Sequence, residues 1–207
     1  ATDSYIDSLT TQSFDITEKF VNREARRYGI RIDAIDVAYN GRLPSGPPQP
    51  PSGQSLLENI WWSLKFRAWA TYRGWKSDSE AGDVELFVNY YDTETTQSLR
   101  HSVGLQGGLI GIINAFADMS YNGSNQVVIA HELMHTLGAS DKYTLENLPI
   151  HPQGYAEPYR NPLYPQQKAE IMGGRIPLSA QVSKMPESLN QVVIGSYTAA
   201  EINWPVE

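Results

Sequence analysis

Residues His131 to Tyr143 read HELMHTLGASDKY, and the spacing within this stretch decides how the rest of the chain is read. His131 and His135 are four positions apart, so on a helix they stand one above the other on one face and aim two imidazoles at a single point. Glu132 lies about 100° further round the helix, where its carboxylate reaches a water at that point without becoming a ligand. Gly138 lets the helix stop, because a residue without a Cβ takes the left-handed conformation cheaply, and the chain can then turn under the histidines. Asp141 follows as the third candidate ligand. His151 competes for that place if Asp141 faces away, and Glu157 and Glu170 are weaker rivals. Five residue types at these offsets arise by chance in roughly 200 positions with odds on the order of 10⁻⁴, so the pattern carries the metal reading. A lone histidine would be read as a surface or core imidazole with a satisfied hydrogen bond.

These residues resemble the metzincin clan of zinc metallopeptidases. With Asp141 in third place and Tyr143 two residues later, the motif is most similar to the snapalysin-like branch, in which the third zinc ligand is Asp rather than His. AEIMGG, Ala169 to Gly174, resembles the methionine turn of that branch through Glu170, Met172 and the two glycines. The chain departs from the pattern over Thr144 to Lys168, a Pro-, Tyr- and Asn-rich connection longer than in the small snapalysin-like enzymes, so substrate preference does not carry over. The resemblance implies an α/β (α+β) zincin fold: a mixed twisted sheet with a backing helix and an active-site helix above a loop-rich C-terminal lobe. Residues 1–207 then form a single catalytic domain, with an upper lobe of about 1–138 and a lower lobe of about 139–207. His131, His135 and Asp141 are implied to hold one catalytic zinc, with Glu132 as general base and Tyr143 as donor to the oxyanion. A plain packing role for Tyr143 stays open. Met172 is the apolar floor beneath the imidazoles, which is also what a core methionine does.

Composition sets outer bounds. A chain of 207 residues, 41% apolar and 11% aromatic, can bury one sizeable core. No apolar run approaches the roughly 20 residues of a membrane span. The N-terminus, ATDSYIDSLTTQSF, lacks the basic start and apolar centre of a signal peptide, and the expectation is a secreted or periplasmic protein whose signal or anchor lies outside the numbered chain. With no cysteine, disulfides and thiolate ligands are ruled out. A net charge of −7 argues against nucleic acid as a partner and for solubility.

In order along the chain, FDITEKFVNREARRY (Phe14 to Tyr28) spaces Ile16, Phe20, Val21 and Ala25 as a helix capped by Asp15 or Thr17 and ended by Gly29. RIDAIDVAY (Arg31 to Tyr39) suits the first strand of the sheet. Asn40 to Gln54 holds five of the thirteen prolines and is predicted to be an exposed connector. Ser55 to Trp75 reads as a long amphipathic helix whose buried face carries Leu57, Ile60, Trp61, Leu64, Ala68 and Tyr72. Asp83 to Asp92 is the clearest strand. His101 is taken as a surface histidine. Gly107 to Ala117 is apolar on both faces and admits two readings. It is either a sheet-core strand or, by resemblance, the edge strand of the cleft, presenting Gly108, Ile110, Ile112 and Asn114 to an extended substrate. The metal-bearing helix should start at Ser124 or Asn125 and bury Val127, Val128, Leu133 and Leu137. His151 to Gln167 is expected to be an ordered, aromatic loop on the lower lip of the cleft. Ser196 to Trp204 should close the chain as a short helix capped by Ser196 or Thr198.

The functional expectation is a zinc-dependent endopeptidase, a monomer acting on protein or peptide substrates, in which Glu132 moves a proton from water to the leaving amine. Two alternatives remain at this level: a zinc amidase acting on cell-wall peptides, and a peptide-binding module that keeps the fold without turnover. One zinc ion is the expected cofactor; calcium stays open as a further ion, with no loop that shows a site for it.

Overall fold

The run IGIINAF carries no charge, and its central five residues are buried, as expected of a strand covered on both faces. A computed structural model of the chain describes residues 1–51, 55–76, 83–105 and 108–206. Its helices are α1 (Thr2–Asp7), α2 (Asp15–Arg27), α3 (Leu56–Lys76), α4 (Asn122–Thr136) and α5 (Ser196–Glu201). Its strands are β1 (Glu85–Tyr91), β2 (Val103–Gly104), β3 (Ile110–Phe116), β4 (Ala169–Glu170), β5 (Ile176–Pro177), β6 (Ser183–Lys184) and β7 (Val192–Val193). The chain is thus a mixed α+β protein.

The main sheet has the order β1-β3-β2, with β1 parallel to β3 and β2 antiparallel to it. Side chains of a strand alternate between faces. On one face Ile112 and Phe87 meet Trp62 and Phe66 of α3; on the other Ile113, Leu86 and Val88 meet Ile129 of α4 and Phe14. The sheet therefore lies between α3 and α4. Helix α2 packs Phe20 and Val21 into the largest core, shared with Leu133 and Met134 of α4 and with Ile171 and Met172. The two remaining strand pairs are short. Strand β4 lies parallel to β7, and β5 antiparallel to β6, within the loop-rich part after Gly138. Among the described residues no helix is long and apolar enough to cross a membrane.

Three expectations are corrected. Gly107 to Ala117 does not form an edge strand: β3 is the middle strand, with its backbone spent on β1 and β2. Ile110, Ile112 and Asn114 therefore cannot offer a ladder to substrate. Gly108 lies in the tight β2–β3 connection, donating to the Leu105 carbonyl at 2.6 Å, and Gly107 falls outside the described residues. Nor is Arg31 to Tyr39 a strand. The Asn22 side chain donates to Ile35 O and accepts from the Ala34 and Ile35 amides, and Glu18 accepts from Val37 N, so groups a ladder needs are held by α2 instead.

The third correction concerns α3. Its position against the sheet follows the expectation, but the buried residues are Trp62, Phe66 and Ala70, while Leu57, Ile60, Trp61, Leu64 and Tyr72 are exposed. The helix is apolar on two faces, and periodicity could not tell which one the sheet would take. The sheet face wins because Phe66 meets Phe87 edge-on at 5.7 Å and stacks on Trp62 at 5.6 Å, closing an aromatic cluster. Phe66→Ala should therefore cost about 3–5 kcal/mol. Trp61→Ala, at 60% exposure, should change stability by less than about 0.5 kcal/mol. Urea unfolding of the two variants checks the order; the reverse order would mean that α3 docks by its other face.

Candidate metal centre

Helix α4, which carries the two histidines, is placed from both ends. At its start Asn125 does not cap. Its side chain accepts from Phe116 N and donates to Phe116 O, stitching the end of β3 to α4. The turn before the helix is capped instead by Asp118, which accepts from Ser120 N at 2.8 Å. Within the helix Gln126 bonds Thr17 and donates to Ser13 O, fixing α4 against α2. Val127, Ile129, Ala130, Leu133 and Met134 are buried. At its end Gly138 adopts φ +116°, and Ala139 N reaches back to Met134 O at 3.0 Å. The chain turns under the helix, as a glycine at this point allows.

That turn brings the candidate ligand atoms together. His131 Nε2 lies 3.2 Å and His135 Nε2 3.1 Å from the same oxygen, Asp141 Oδ1. Each imidazole is oriented through its other nitrogen. Nδ1 of His131 lies 2.9 Å from Ile171 O, and Nδ1 of His135 lies 2.8 Å from Ala139 O. A carbonyl can only accept, so Nδ1 donates, and in the neutral ring Nε2 then carries a lone pair. In the neutral rings three lone-pair atoms converge, which is repulsive unless a proton or a metal cation sits between them. A tetrahedral zinc with ligands at about 2.0–2.1 Å has edges of roughly 3.3–3.4 Å, close to the separations seen. The donor set thus fits a metal ion. Burial opposes charge on His135, yet Asp141 and the Ala139 carbonyl raise its pKa, while against its own desolvation Asp141 is held far below the usual carboxylate range by the two imidazoles.

Asp141 is aimed by its neighbours. Lys142 is buried, its Nζ 2.5 Å from Glu201 Oε2 and its N bonded to Met172 O, and Ser140 bonds the same Glu201 through N and Oγ. The residues either side of Asp141 are therefore fixed to α5 and to the turn at Met172, leaving Asp141 itself facing the imidazoles.

Glu132 is buried beside this cluster without joining it. Its Oε2 accepts from Gly104 N of β2 at 2.5 Å, which leaves Oε1 for a proton. Burial lifts its carboxyl above the ordinary range, opposed by the imidazoles and the Gly104 amide. Gly104 must be glycine here: a Cβ would stand 2.7 Å from both Glu132 O and His135 Cβ. Tyr143 is half-buried, its ring centroid 6.2 Å from that of His131, and burial followed by the Asp141 charge keeps its hydroxyl protonated. A cavity of about 280 Å³ opens beside His131, Glu132 and Tyr143.

The rival ligands are elsewhere. Exposed His151 bonds Pro158 O through Nε2 and Glu157 pairs with Arg160. Glu170 is fully buried and spends both oxygens on Met172 N, Gly173 N, Gly195 N and Thr198 Oγ1 at 2.7–3.0 Å. Burial pushes its carboxyl up against those donors. Thr198, expected as a cap for α5, serves Glu170 instead, and Met172 is fully buried in the core shared with Leu133 and Met134. Among the described residues only His131, His135 and Asp141 form a group that could hold a metal.

Sequence reasoning missed the backbone partners Gly104 N, Ala139 O and Ile171 O, since main-chain groups leave no residue signature. It also took His101 for a surface residue with no role. His101 is exposed, yet it lines the cavity beside the cluster. No protein-family model, curated protein or solved structure matches the chain.

Two outcomes follow. Asp141→Ala should weaken zinc binding at least about a hundredfold by removing a charged ligand, whereas His151→Ala should leave it unchanged; competition with a chromophoric chelator measures both. Glu170→Ala strands four donors around a buried void and should destabilise the fold by at least ~3 kcal/mol in denaturant unfolding.

Proposed function

We propose that this chain is a zinc-dependent endopeptidase of the metzincin type, nearest the snapalysin-like branch, with His131, His135 and Asp141 as the metal ligands. The observation that carries the reading is the convergence of their three acceptor atoms, with both Nδ1 atoms committed to carbonyls and a buried carboxylate alongside. A zinc ion held there supplies Lewis acidity to a water molecule and to the scissile carbonyl. Everything else is done by the chain's own groups.

Glu132, pinned through Oε2 by Gly104, takes a proton from the attacking water on its free oxygen. The water oxygen bonds to the carbonyl carbon, the C–N bond breaks, and Glu132 passes the proton to the leaving nitrogen. Water is thereby divided between a carboxylic acid and an amine. The Tyr143 hydroxyl, kept protonated beside Asp141, is a donor for the oxygen that gathers charge as the carbonyl is attacked. Substrate is a protein or peptide, and the cavity beside Glu132 receives one of its side chains.

Protein purified without added metal should carry about one zinc per chain and digest casein, and a chelator should abolish the digestion. Absence of zinc, with no digestion on adding it, would remove the proposal. Glu132→Gln should keep the zinc and slow digestion by roughly 10²–10⁴-fold. A near-parental rate in that variant would remove Glu132 as the base while leaving the metal site intact.

A further inference from the structure

The cavity beside Glu132 has a composition that departs from the rest of this acidic protein. Its walls are apolar, with Val127, Val128 and Ile171, but its lining also brings together Arg100, His101 and Arg175, against Glu132 as the one lining carboxylate among the described residues. The chain as a whole is seven charges negative. Most guanidiniums elsewhere are already paired: Arg23 and Arg27 with Glu24, Arg26 with Asp33, Arg42 with Asp3 and Asp7, Arg160 with Glu157. Arg175 is partly buried, and among the described residues its guanidinium has neither an ion pair nor a hydrogen bond.

Its backbone, by contrast, is well held. Arg175 sits between Gly174, whose amide bonds Glu170 O at 3.0 Å, and Ile176 of β5, paired with Lys184. A guanidinium on a fixed backbone, partly desolvated and unpaired, is organised to accept a carboxylate in a two-pronged contact. At about 280 Å³ the cavity suits one side chain or one chain terminus rather than a whole small-molecule ligand.

We infer that Arg175 makes this cavity a carboxylate subsite, so that the enzyme selects peptides presenting an acidic group to it, either a Glu or Asp side chain or a free C-terminus. Arg175 is here a specificity residue that touches substrate, and Arg100 adds a second positive charge to the same lining. The inference rests on the peptidase reading above and names the substrate class of that same site. A charge-assisted two-pronged contact in a partly exposed cavity corresponds to roughly 10–100-fold in affinity.

The test uses zinc-loaded Glu132→Gln protein, so that binding is measured without turnover. Calorimetry compares otherwise identical alanine-rich peptides, acetylated and amidated, carrying Glu, Gln or Lys at one central position, together with the Gln peptide as a free acid. Tighter binding of the Glu peptide by about 10–100-fold assigns the subsite to a side chain; the same gain for the free acid assigns it to a C-terminus. Either gain should vanish on adding Arg175→Ala, shrink with Arg175→Lys, and turn into a preference for Lys with Arg175→Glu, at unchanged zinc content. Equal affinity for all four peptides, or an acidic preference that survives Arg175→Ala, overturns the inference. If the otherwise unaltered enzyme digests casein in a zinc-dependent way in that case, the peptidase reading stands and only the substrate class falls. If it neither binds zinc nor digests casein, both fall.

Discussion

The architecture of the site depends on one buried carboxylate. Glu170 lies at the bottom of the turn containing Met172 and accepts from two amides of that turn, from Gly195 and from the Thr198 hydroxyl. Four donors around an ion buried away from water compensate its lost hydration, and together they lock the turn to the start of α5. Two consequences reach the candidate metal centre. Ile171 O is held where His131 Nδ1 can donate to it, and Met172 O is held where Lys142 N can. His131 and the segment carrying Asp141 are thus both oriented through the turn that Glu170 holds.

The centre is assembled from backbone groups more than from side chains. Ile171 O and Ala139 O set the tautomer and plane of the two imidazoles, and Gly104 N sets the carboxylate of Glu132. Those groups belong to three elements of the chain: the turn at Met172, the turn after α4, and the outer strand of the sheet. Orientation by main chain is rigid because each carbonyl or amide is itself part of a turn or ladder, and rigidity is what a metal site with few ligands requires. It also explains a close approach. β2 can lie against α4 only because Gly104 has no side chain to meet His135 Cβ.

The long connection Thr144 to Lys168 is ordered by similar means. Gln166 is buried and its amide bonds the backbone of Glu157 and Leu163, while the Tyr155 and Tyr164 hydroxyls meet at 2.7 Å. Gly154 and Gly173 pack backbone to backbone, where a Cβ on Gly173 would stand 2.3 Å from Gly154 O. The loop therefore packs against the turn at Met172, close in sequence to Arg175.

What the sequence determined by itself was the local and periodic part of this protein. The helical spacing of His131 and His135, the glycine that ends the helix, the reach from there to Asp141, and the existence of α2, α3, β1 and β3 all follow from rules that act over a few residues. What only the tertiary structure decided was partnership. β3 could be placed at an edge or in the middle by its apolar run alone, and it lies in the middle because a second strand, of only two residues, covers its other side. α3 offered two apolar faces, and the aromatic cluster on the sheet selected one. Arg31 to Tyr39 has the composition of a strand, but Asn22 and Glu18 of a preceding helix bind its backbone first. Main-chain donors and acceptors are the same at every position, so a sequence carries no mark of which ones will meet; that is settled when distant segments pack.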